Sequence, residues 1–117
     1  MIRLRFALVV IMLAVVLAGT PVGSGQAGGE GRTIYGAGTN TCAQWTDARD
    51  KDTWLSAGQW LLGFVSASAM YSKTPPSRTD ARAIANWVDT YCLSHSGSDL
   101  SDAARELVEL LISGKQP

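Results

Sequence analysis

The 117-residue chain has one histidine, two cysteines and three lysines (Lys51, Lys73 and Lys115). A single imidazole and two thiols cannot assemble most metal sites or Cys–His nucleophile pairs. There is no C-x-x-C, the usual spacing of a redox pair, and no G-x-S-x-G around any serine. Charge of one sign is missing as well. Lys and Arg total 10, Asp and Glu total 10, and the net charge is zero. Without a basic stripe, nucleic-acid binding is not expected. Gly36-Ala37-Gly38 lacks a third glycine at 41 and a preceding strand, so it is no dinucleotide fingerprint. No internal repeat or hairpin signal is present.

What the chain does have divides into two unlike pieces. Arg3 and Arg5 precede an unbroken apolar run of 13 residues, Phe6 to Ala18, followed by small and polar residues to Ala27. That order is the n-, h- and c-region of a secretory signal. Thirteen helical residues reach about 20 Å, short of a ~30 Å bilayer core, so a membrane anchor is the lesser alternative. Cleavage is expected after Ala27, with Ala18 as the alternative. Thr20 stands where a lipidated cysteine would be needed, which argues against a lipid anchor. Residues 28–117 then carry 8 Lys+Arg against 10 Asp+Glu, a net −2. The expected location is the periplasm or the exterior of the cell, with no stable membrane span after signal removal.

Residues 28–39, with five glycines, read as a flexible lead-in. Residues 40–113 read as a helical domain and 114–117 as a tail. Thr39-Asn40-Thr41 can cap a short helix to about Arg49, with Cys42 and Trp45 on one face. Asp47 to Asp52 is a mixed-charge patch, read as a solvated face and turn. Thr53 is expected to cap the longest helix, about Trp54 to Ser72, with no charge between Asp52 and Lys73. Gly58, Gly63, Ala57 and Ala67 there would allow neighbouring helices to approach closely. After Pro75-Pro76, Ser77 or Thr79 begins a helix of roughly Asp80 to Leu93, with Gly97 as its C-cap. Ser101 caps the last helix, to about Ile112, and Gly114 ends it. The pattern predicts an all-α, small four-helix domain with one disulfide, preceded by a signal peptide.

Cys42 and Cys92 are expected to pair, because two cysteines in an exported chain most often do. Closing a loop of that size contributes about 4 kcal/mol by the chain-entropy argument. His95 falls near a helix end, where a cation meets the dipole favourably, and a catalytic base is the weaker reading. Carboxylate pairs can be drawn from Asp47, Asp50 and Asp52, or from Asp99, Asp102 and Glu106. Acids at helix starts and on surfaces are expected on dipole grounds alone. The expectation is therefore a non-enzyme with no cofactor and no metal. The four tryptophans (45, 54, 60 and 87) mostly fill the core, but Trp60 and Leu61 lie on adjacent faces. A small bundle leaves some aromatic surface for a partner.

Cys42 early in the first helix, the Leu62-Gly63-Phe64-Val65-Ser66-Ala67 segment, Tyr91-Cys92 and a charged amphipathic last helix together resemble the HdeA-type periplasmic acid-stress chaperones. The likeness spans roughly residues 40–112 and includes the separation of the two cysteines. It implies a small all-α fold, a homodimer at neutral pH, and a holdase that exposes apolar surface in acid. The candidate client surface is the long helix, especially Trp54, Trp60, Leu61, Phe64 and Val65. The same Leu62–Ala67 segment and the stretch His95 to Leu111 also resemble the Tai-type exported immunity proteins, which neutralise secreted cell-wall amidases. That likeness implies a folded hydrolase as partner.

Overall fold

A computed structural model describes residues 31–117. The proposed signal segment, both cleavage positions and the first lead-in glycines lie outside the described residues. The described chain forms a 3-10 turn, Gly36–Thr39, and four helices. These are α1 (Cys42–Asp50), α2 (Leu55–Tyr71), α3 (Ala81–Ser94) and α4 (Leu100–Ile112). Among the described residues there is no strand, only an isolated antiparallel bridge between Thr41 and Asp99.

Local chemistry explains most helix ends. Thr41 accepts from the Gln44 backbone N–H, and Gln44 Oε1 accepts from the Thr41 N–H at 2.8 Å, a reciprocal cap for α1. Asp80 caps α3 by accepting from the Ala83 N–H. At α4 the cap is Asp99 rather than the expected Ser101, paired reciprocally with Asp102. Ser101 is instead buried and donates its hydroxyl to Asp99 Oδ1 at 2.7 Å. Gly114, at φ +81°, closes α4. Its N–H reaches the Leu111 carbonyl and the Lys115 N–H reaches that of Leu110, the paired bonds of a left-handed helix end.

Three further expectations change. Thr53 does not cap α2, which begins after Trp54 with no side-chain cap. Tertiary packing fixes that start, because the Trp54 ring lies edge-on to Trp45 at 6.0 Å and under the Arg49 guanidinium. Gly58 is required by the Trp54 ring, which a Cβ would meet at 2.7 Å, while Gly63 faces open space. At Gly58 the close approach is therefore made within one helix turn rather than between helices, while Ala57 is buried in the core. Gly97 is not in the left-handed region, and α3 ends at Ser94 with His95 as its C-cap.

The largest difference concerns the lead-in. Its last residues are packed, not free. Gly38 is buried, and a Cβ there would collide with the Trp60 ring and Ile34. The Trp60 indole N–H donates to the Tyr35 carbonyl at 2.8 Å. The absent side chain lets the backbone pass close to the ring, which a composition-based reading of glycine as a flexible linker misses. Beneath these elements lies one core, in which Trp45, Leu61, Ile84, Val88, Leu100, Leu107 and Leu111 are fully buried.

Candidate functional site

Helix α1 is held to α3 at two adjacent points. Cys42 and Cys92 form the disulfide, with Cα atoms 5.1 Å apart. A turn further on, Asp89 accepts from the Trp45 indole N–H at 2.7 Å and from Arg49 Nε and Nη2 at 3.0 and 2.9 Å. The hydrogen bond to Asp89 raises the Arg49 pKa above the ordinary guanidinium value, while burial opposes it. At the neighbouring turn, Lys51 pairs with Asp47 at 2.8 Å on the surface, and that hydrogen bond raises the lysine pKa.

The candidate surface residues do not share one environment. Leu61 is completely buried and takes no part in the folded surface. Its position between Ala57 and Val65 at helical spacing points it into the core. Trp54, Trp60, Phe64 and Val65 are half-buried. Trp60 and Phe64 pack ring to ring at 5.4 Å, and the lead-in covers part of Trp60. Trp54 is taken up by Arg49, whose guanidinium carbon sits 4.7 Å from the ring centroid.

The exposed apolar groups of α2 are others. Leu55 is 67% exposed, Met70 77% and Tyr71 86%. Leu55, Leu62, Ser66 and Ala69 fall on one stripe at helical spacing, with Met70 at its edge. Leu62 is half-buried, and Ser66 and Ala69 are exposed. The sequence signal for this face was the charge-free run from Thr53 to Ser72. A run without charge indicates burial, yet a 17-residue helix has more circumference than a four-helix core can cover. Leu93, on α3, is a further exposed apolar side chain at 85%.

His95 sits at the end of α3. Its Nδ1 lies 2.8 Å from the Tyr91 carbonyl, and its ring stacks on Tyr91 at 4.0 Å. A proton on Nδ1 makes this a donor to a last-turn carbonyl, the capping arrangement expected for histidine there. Among the described residues no group of three or more His, Cys, Asp or Glu side chains is placed to hold a metal. No described helix is long and apolar enough to cross a membrane. The disulfide and the absence of such a helix among the described residues are compatible with an extracellular or periplasmic setting. No family model matches the chain, and no curated protein or solved structure matches it either.

Proposed function

We propose that this chain is a small exported, non-catalytic, HdeA-like protein that binds other proteins as a periplasmic acid-stress holdase. The observation that carries the reading is the outer face of α2. It is free of charge over its whole length and presents Leu55 and Met70 to solvent, with Leu62 half-buried on the same stripe. Phe64 and Val65 lie half-buried on the core-facing side of the helix. Apolar surface of this kind on a covalently pinned frame suits reversible capture of apolar segments.

Acid acts on the fold through its overall charge. It moves the charge of residues 28–117 from −2 toward about +9, which adds self-repulsion. The core side of α2, Leu61 included, then becomes available, and the disulfide limits the expansion. The test is aggregation of a client enzyme at about pH 2–3, with size and ANS binding followed from pH 7 to pH 2. Protection with exposed apolar surface is expected. A compact, unchanged monomer that gives no protection discards the holdase.

The second reading is an immunity or inhibitor protein that binds a folded secreted hydrolase. It is favoured by the ring-to-ring packing of Trp60 and Phe64 and the hydrogen bond fixing Trp60, which form a preorganised patch at neutral pH. Capture of a hydrolase from periplasm at pH 7, lost on changing Phe64 to Ala, is its expected result.

A further inference from the structure

Arg49 shows how this chain holds a cation. Its guanidinium lies over the Trp54 ring while Asp89 takes the N–H groups. A second indole stands among carboxylates without a cation on it. An open groove of about 660 Å³ runs between α3 and the C-terminal half of α4, lined by Trp87, Leu110, Arg105, Glu106, Glu109 and Lys115, with Ser113 at its end. Trp87 and Leu110 are half-buried. The Trp87 ring is held in place by stacking on Tyr91 at 5.4 Å, which in turn stacks on His95.

The charges around the groove are unevenly committed. Arg105 pairs with Asp102 at 3.5 Å. Among the described residues, neither Glu106 nor Glu109 has an ion-pair partner within 4.0 Å. The cation–ring contacts there are those of Arg49, so neither Arg105 nor Lys115 lies over Trp87. The lining itself is balanced, Arg105 and Lys115 against Glu106 and Glu109, but Arg105 is drawn to Asp102 outside the groove, which leaves two glutamates to one lysine.

We infer that the Trp87 groove is a docking site for a basic side chain of a protein partner, arginine by preference. The guanidinium would stack on the indole and donate to Glu106 and Glu109, repeating between molecules the Arg49–Trp54–Asp89 arrangement within this one. Arginine fits better than lysine because its flat, weakly hydrated group can stack and form forked hydrogen bonds together. Lys115 is the nearby competitor, since its ammonium can reach the same carboxylates. The inference is independent of the holdase reading, because the groove belongs to folded α3 and α4 and is complete at neutral pH.

The experiment is an NMR titration of the exported protein at pH 7, following the Trp87 indole N–H, assigned with Trp87→Phe. The probes are acetyl-Gly-Arg-Gly-amide, the same peptide with uncharged citrulline, and an N-acetylglucosamine trimer. The arginine peptide is expected to shift the Trp87 resonance with a millimolar-range Kd, and citrulline to bind several-fold more weakly. The E106Q/E109Q double variant should weaken arginine binding roughly fivefold, and Lys115→Ala should tighten it about twofold. All three substitutions are at groove-lining positions outside the main core cluster, so the fold is expected to persist, and the other three indole resonances check this. An unmoved Trp87 resonance overturns the inference. So does equal response to citrulline, or a response to the sugar alone.

Discussion

Asp89 is the residue on which most depends locally. Its two oxygens satisfy the Trp45 indole and the Arg49 guanidinium together, at side-chain exposures of 38% for Asp89 and 26% for Arg49. Asp89→Ala leaves the indole N–H of the buried Trp45 and a guanidinium without acceptors, and is expected to cost about 2–3 kcal/mol in a urea melt. Asp89→Asn keeps an acceptor for Trp45 and loses only the charge, at about 1 kcal/mol. A cost for Asn as large as for Ala would show that the ion pair outweighs the indole bond. The Arg49 pKa is raised by folding, so its contribution is present below the unfolded value and lost only as pH rises through the folded one. Both lie above the ordinary alkaline range, so Arg49 adds no loss of stability between neutral pH and pH 10. None of this could be read in the sequence, because Trp45 and Asp89 are 44 positions apart. Periodicity reports which face a residue occupies, not its partner on another helix.

At the scale of elements, the legible features were those written in local chemistry. Helical spacing puts Ala81, Ile84, Ala85, Val88, Tyr91 and Cys92 on one face of α3, and all but the exposed Ala81 are buried; it likewise puts Leu100, Ala104, Leu107 and Leu111 on the buried face of α4. Gly114 could be read as a stop because a left-handed residue follows many helices. The bounds of α2 were legible to within a residue, but what fixes its start and the packed lead-in were not, since both depend on tryptophan rings meeting other parts of the chain. The same held for the candidate site, where a charge-free run indicated burial without saying which arc would remain open. The caps offer a direct check. Asp99 accepts from the Asp102 N–H and from the Ser101 hydroxyl. Asp99→Ala is expected to lower stability by about 1–2 kcal/mol, and Ser101→Ala by less than that, measured by thermal melting. The reverse order would restore Ser101 as the effective cap.

For the molecule as a whole, a domain this small has thin stability, and one covalent link carries a large share of it. The bond joins positions 50 apart and lies beside the Asp89 joint. Reducing it, or changing both cysteines to serine, is expected to cost about 3–4 kcal/mol at neutral pH. The helix content should survive at low temperature, because the four helices share one core whether or not the sulfurs are joined. Circular dichroism melts with and without reductant measure both effects. A reduced chain that melts at the same temperature would show that the Asp89 joint and the backbone bonds to Ser98 and Leu100 secure α1 without the sulfurs.

The way α1 is attached also bears on the order in which the chain assembles. This nine-residue helix is too short to persist alone. Trp54 meets it locally through Trp45 and Arg49, but its other anchors are distant in sequence, at Asp89, Cys92, Ser98 and Asp99. Those anchors require α3 and the start of α4 to be in place. Pairing of Cys42 with Cys92 is therefore expected late in assembly, and an oxidase is expected to meet a chain in which α3 already has its shape.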